Sequence, residues 1–245
     1  MRYRKMTGMT YYRLHRYFCS SRPVIPLIIS ACFLRFMYSV RPMDVCNGYI
    51  LSGIFQFVLM TFVSLNNNGN EDMVEEQLLL FHGNSQGLYC AAREMTLLVI
   101  SCFYGMLLAL GPVLINALNQ FSFFARVLTA GDVVMGTIII LGCGVAGIAI
   151  GDVLQPRVIT DRKIAITSAV GIMLLSIVKS AIIKDYRFFR FLDVLLPPVM
   201  KPAGDLINGD YFELSSVLIF LLLMAVYYLT VTIIKNLLLV RRKFS

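Results

Sequence analysis

The chain has 245 residues, of which 58% are hydrophobic and 15% charged, and its 22 Lys and Arg exceed its 14 Asp and Glu to leave a net charge of +8. Soluble domains carry about a quarter charged residues, so this composition cannot cover a water-soluble globule. Together with a mean hydropathy of +0.75, it predicts an all-α integral membrane protein with room for one bundle of about six spanning helices. The basic excess lies beside apolar runs, so membrane orientation accounts for it better than nucleic acid, and no nucleic-acid partner is expected.

Residues 1–23 interleave Arg2, Arg4, Lys5, Arg13 and Arg16 with Tyr3, Tyr11, Tyr12, Tyr17 and Phe18. This pattern predicts an amphipathic helix lying on the inner leaflet, with Leu14, Tyr17 and Phe18 on one face and Arg13 and Arg16 offset from it. A cleavable leader is not expected, because no short apolar core ends in small residues here. Pro23 and Pro26 then permit a turn into the membrane.

Residues 24–240 contain six apolar runs: 24–40, 49–65, 95–118, 133–154, 164–183 and 217–240. Each is near the ~20 residues a helix needs to cross a bilayer. A spanning segment must satisfy its own backbone groups, so each is expected as a helix. The first is short and contains Arg35. With the N-terminus inside, 13 Lys and Arg fall on the cytoplasmic side and 6 on the outer side. The bias places both termini, including the tail 241–245, in the cytoplasm of a cell whose plasma membrane holds the protein.

The connections carry more information than the spans. Residues 66–94 form the longest inner loop, with the polar run Asn66-Asn67-Asn68-Gly69-Asn70 followed by Glu71, Asp72, Glu75 and Glu76 and then Leu78-Leu79-Leu80-Phe81. Acidic residues favour a helix start, and His82-Gly83-Asn84 reads as its stop. A second short helix over 85–93 leads into the third span. The outer segment 184–214 is rich in aromatics and broken by Pro197, Pro198, Pro202 and Gly204. It is expected as a re-entrant segment of short helices tucked onto the outer surface.

Catalytic signatures are missing. The chain has no GxxxxGK[ST] loop, HExxH pair or GxSxG elbow, so neither an enzymatic site nor a nucleotide site is expected on it. Cys19, Cys32, Cys46, Cys90, Cys102 and Cys143 show no CxxC spacing and read as packing thiols, with no metal expected. Charges inside spans are costly and usually functional. Arg35 and Lys179 fall toward the outer ends of their runs and are weak candidates for a translocation path, or else snorkel to the headgroups. Lys235 and Asp152, near the inner edge, read as snorkelling or edge residues. In the fourth run Gly147 and Gly151 form a GxxxG pair continued by Gly144 and Ala146, which predicts close helix packing. Gly111-Pro112 predicts a kink in the third.

The order of these parts, and most of all the stretch Glu75-Glu76-Gln77-Leu78-Leu79-Leu80-Phe81 through Tyr89-Cys90-Ala91-Ala92-Arg93-Glu94, resembles the permease subunit of type-2 ABC exporters. Pro197 and Pro198 are similar to prolines in that family's outer segment, whereas Gly83-Asn84 stands where its loop often has a proline. The resemblance implies a cytoplasmic coupling helix and makes Glu75, Glu76, Leu79, Leu80, Phe81, Ser85, Leu88 and Tyr89 candidates for contact with an ATPase. It implies two copies of a separate ATPase subunit that bind ATP and Mg, and a second permease, identical or not. The Phe-, Met- and Leu-rich spans fit an amphipathic or hydrophobic cargo such as a peptide toxin, bacteriocin or antimicrobial peptide. The alternatives are a membrane-embedded substrate-binding subunit of an importer and a membrane-integral enzyme.

Overall fold

The computed structural model describes residues 2–69, 77–79, 81, 86–155, 159, 161–186, 188, 196–199, 207–208 and 211–241. Its principal helices are α1 (Arg2–Phe18), α2 (Val24–Met37), α3 (Val45–Gly69), α4 (Gln86–Leu118), α5 (Ala130–Val153), α6 (Arg162–Asp185) and α7 (Leu214–Arg241). Two-residue strands β1 (Ile207–Asn208) and β2 (Tyr211–Phe212) pair antiparallel just before α7. The five helices α3 to α7 are long and apolar enough to cross a bilayer, whereas α2 has 14 residues. At 1.5 Å per residue α2 is about 21 Å long, short of a ~30 Å hydrocarbon layer.

Several boundaries differ from the sequence expectation. The asparagine run does not break the second span: α3 continues through it to Gly69. Residues 86–93 are not a separate short helix but the first two turns of α4, a continuous 33-residue helix. At about 50 Å, α4 exceeds the hydrocarbon layer by about 20 Å.

α5 is the centre of the bundle. It packs on α3 most extensively and also on α4 and α7. Gly144, Gly147 and Gly151 make the approach to α3 possible, because it is their missing side chains that leave room for the neighbouring backbone. A Cβ on Gly147 would lie 2.4 Å from the Phe57 carbonyl oxygen, and one on Gly151 2.5 Å from that of Thr61. One on Gly144 would meet the Ser101 hydroxyl of α4 at 2.3 Å. There the buried Gln56 of α3 donates its amide to the Ser101 carbonyl at 3.0 Å, so three helices meet around one polar side chain.

Around this seam lie three apolar clusters. Phe57, Ile139, Cys143, Ala146, Ala169, Phe220 and Met224 join α3, α5, α6 and α7. Tyr17, Leu59, Met60, Leu97, Ile100, Tyr104 and Ile148 join α1, α3, α4 and α5. Tyr38, Val45, Tyr49, Leu108, Phe123 and Ile140 close the opposite end. Leu174, Leu175 and Val178 of α6 and Leu218, Leu222, Leu229 and Ile233 of α7 point outward. So much exposed apolar surface on the rim of the bundle is what acyl chains cover.

α1 lies along α4. Met9, Arg13 and Tyr17, one turn apart, form its buried face, so Arg13 turns inward rather than standing beside the contact. Its guanidinium lies 5.0 Å from the Tyr89 ring centroid, and the Tyr17 and Tyr104 hydroxyls meet at 3.0 Å. Burial raises the Tyr17 phenol well above its ordinary pKa, so that contact is between neutral hydroxyls. α2 is held by the stack of Phe33 on Phe55, with ring centroids 3.9 Å apart, and by Leu34 filling the space over Gly111.

The end of the bundle where α5 begins is tied by polar contacts. Thr129 and Asp132 form a capping box, which satisfies amide donors that would otherwise be orphaned. Arg126 grips both Asp132 oxygens, at 2.6 and 2.7 Å, and lies 4.1 Å from the Tyr211 ring centroid. The bond to Asp132 raises the Arg126 guanidinium above its usual pKa. Nearby, burial pushes the Tyr38 phenol up to about 12, and its hydroxyl sits 3.3 Å from that of Ser52.

The glycine seam is testable with paired substitutions. Gly147→Ala forces α5 off the Phe57 carbonyl and is expected to cost about 1–3 kcal/mol, the range for overpacking. Gly171→Ala on α6 meets nothing within 4 Å and is expected to be neutral or slightly stabilising, since alanine is the better helix former. Thermal unfolding of the detergent-solubilised protein separates the two.

Candidate functional site: a buried ion cluster beside a lateral cleft

The most polar site among the described residues lies where α4 begins and α5 and α7 end. Arg93 and Glu94 project from α4, Asp152 from the last turn of α5, Gln155 from just beyond it, and Tyr228 and Lys235 from α7. Tyr228 and Lys235 are seven residues apart and share a helix face. Arg93, Asp152 and Lys235 are 5%, 4% and 1% exposed.

The bonding is dense. Arg93 donates to Asp152 and to the Gln155 side-chain carbonyl. Lys235 donates to the other oxygen of Asp152 and to Glu94, while Tyr228 donates to the second Glu94 oxygen at 3.1 Å. Two cations thus face two carboxylates, and each carboxylate uses both oxygens. Pairing of this kind is what makes buried charge tolerable. Asp152 is the hub that joins α4 to α7 through α5.

On the other side of the same α5 terminus is a cleft of about 820 Å³. Leu154 faces it while Gln155 turns into the cluster. Its apolar wall includes Ile25 and Ile29 of α2, Val58 and Phe62 of α3, and Ala165 and Ile166 of α6. Its polar rim includes Arg22, Asn66 and Arg162, and Arg162 donates to Asn66 at 3.4 Å.

The residues singled out from the sequence are scattered. Of the candidates for ATPase contact, Glu75, Glu76, Leu80 and Ser85 lie outside the described residues. Phe81 is 85% exposed and Leu79 half-buried. Leu88 is half-buried on α4, and Tyr89 is buried under Arg13, facing α1 rather than outward. Arg35 is exposed in the last turn of α2. Lys179, by contrast, does not reach outward to headgroups: it is buried and donates to the Leu196 carbonyl at 3.0 Å. That bond helps to hold 196–199, whose Val199 packs with Ala169, Met173, Val217 and Phe220. Pro197 is buried and Pro198 half-buried in the same stretch.

Lys235 and Asp152 are the main correction. Neither snorkels nor sits at an edge, since each finds opposite charge within the bundle. In the sequence Arg93 and Glu94 stand out only as the end of a loop, and Gln155 and Tyr228 give no signal as isolated residues. The signal that does point to the cluster is charge balance at one depth: two cations and two acids fall near the same ends of three apolar runs. Among the described residues no group of three or more His, Cys, Asp or Glu is arranged to hold a metal. The cluster also leaves no carboxylate oxygen without a cationic or phenolic donor. Compared with known proteins, the chain matches no family model, no curated protein and no solved structure.

Lys235→Met leaves Asp152 and Glu94 buried with less compensating charge, and is expected to cost about 3–5 kcal/mol of stability. Adding Asp152→Asn is expected to cost less than the sum of the two single changes, because the pair shares one interaction. A double-mutant cycle on thermal midpoints in one detergent measures the coupling.

Proposed function

We propose that the chain is the permease subunit of an ATP-driven exporter, with ATP and Mg bound by a separate ATPase that docks on the connection between α3 and α4. In this reading α2 serves as a sixth, short crossing, both termini are cytoplasmic, and residues 184–214 form the re-entrant outer segment. The cargo is an amphipathic molecule such as a peptide, and two permeases together supply enough helices to enclose its path.

The length of α4 carries the proposal. About 20 Å of this 33-residue helix exceeds the hydrocarbon layer, which leaves length for its first turns to reach beyond the bilayer toward a soluble partner. Phe81, on that connection, is 85% exposed and Leu78 55%. Large apolar side chains on a water-facing segment are the material of a docking surface. Arg93 and Glu94, two turns into α4, are clasped to Asp152 and Lys235. A push on the connection would therefore be passed through α4 to α5 and α7 together. The ion cluster is the mechanical joint in this scheme, and it needs no chemistry of its own.

Affinity purification from the native membrane tests the reading. An ATPase subunit is expected to co-purify with the wild-type chain and to be reduced at least about tenfold by Phe81→Asp, the loss that ~1.4 kcal/mol at a central apolar contact would cause. If the wild-type chain comes through alone under conditions that preserve complexes, the exporter reading is wrong.

A further inference from the structure

The cleft beside the ion cluster is built for a particular kind of molecule. Both charged residues among the described residues of its lining, Arg22 and Arg162, are cations. They lie at the rim with Ser21, Asn66 and Asn67, while the interior is formed by Ile25, Ile29, Val58, Phe62 and Ile166. A volume of about 820 Å³ falls in the ~300–1,000 Å³ range of sites that hold an organic ligand. Its walls belong to α2, α3 and α6, and Ile25, Ile29, Phe62 and Ile166 among them are exposed, so the cleft opens on the apolar outer surface of the bundle. Burial and the neighbouring Arg16 push the Arg22 guanidinium below its ordinary pKa. Positive charge is therefore crowded at this rim, and among the described lining residues there is no carboxylate.

We propose that this cleft is a binding site for one anionic phospholipid, whose phosphate is held by Arg22 and Arg162 and whose acyl chain lies against Ile29, Val58, Phe62 and Ile166. Asn66 supports the site by accepting from Arg162 at 3.4 Å, which keeps that guanidinium over the mouth. The lipid fills a gap between α2, α3 and α6 that protein side chains leave open. It acts as a wedge that fixes how α6 stands against the rest of the bundle, since α6 has few direct contacts with its neighbours. Only the membrane-spanning character of the chain is required, so the site stands or falls independently of any ATPase.

The test uses native mass spectrometry of the full chain released from vesicles of equal parts phosphatidylglycerol and phosphatidylcholine. The wild type is expected to retain one phosphatidylglycerol with about tenfold preference, in line with the attraction of two basic residues for anionic lipid. The double variant Arg22→Gln/Arg162→Gln is expected to lose the preference. Lys163→Gln, which changes an exposed base outside the cleft, is expected to keep it. Ile166→Trp, which puts an indole across the path of the acyl chain and leaves both arginines, is expected to weaken retention of the bound lipid. Equal retention of the two lipids by the wild type would overturn the proposal. So would an unchanged preference in the double variant, or undiminished retention in Ile166→Trp.

Discussion

The close approach of α5 to α3 is the contact on which the bundle depends. In lipid the solvent is as apolar as the side chains, so helices are not driven together by escape from water and must gain by fitting closely. Gly147 and Gly151 bring one backbone against another, with the Phe57 and Thr61 carbonyls where side chains would otherwise begin. Everything else is arranged around that seam. α4 adds to it through Ser101 and Gln56, and α7 through Phe220, which lies against Gly142.

The two ends of α5 are then held in different ways. Where it begins, Arg126, Thr129 and Asp132 are close neighbours in sequence, and their hydrogen bonds shape the entry into the helix itself. Where it ends, the partners of Asp152 come from α4 and α7, 59 and 83 residues away along the chain. The first arrangement is a cap, which stabilises one element. The second is a clasp, which sets the relative position of three. A clasp of charges also has directional alternatives, because a lysine between two carboxylates can keep one and release the other.

Much of this architecture is legible in the sequence, and the reasons are physical. Runs of about twenty apolar residues with few charges have little choice but to cross a membrane as helices. The spacing of Gly144, Gly147 and Gly151 likewise announces a packing face from the order of residues alone. What is not legible depends on partners distant in the chain. Lys235 in an apolar run has two physical solutions, reaching the headgroups or finding a carboxylate. Only the folded bundle places Asp152 and Glu94 beside it. Lys179 has the same ambiguity and finds the Leu196 carbonyl, which lies in a connection of irregular backbone that periodicity does not describe. Arg13 turns toward Tyr89 rather than water, because a guanidinium over an aromatic face is stabilised where the helix stripe alone counts it as polar. The weak helix propensity of the asparagines after the second span leaves open whether that span ends at them or passes through, and α3 carries through them to Gly69. Propensity is a small term that tertiary contact overrides.

These differences in bonding decide where the molecule can move. Displacing α5 from α3 would open the glycine seam along several turns at once, and each lost backbone contact would have to be replaced by lipid that fits less closely. Shifting α4 or α7 at the clasp end asks less. A small shift there is followed by the flexible lysine side chain, so long as Lys235 itself stays beside Glu94 and Asp152. α6 is freer still, touching α3 and α5 over a short length and leaving the cleft along its flank. The bundle is therefore rigid along one axis and adjustable at one end. The connection between α3 and α4 enters the molecule at that adjustable end.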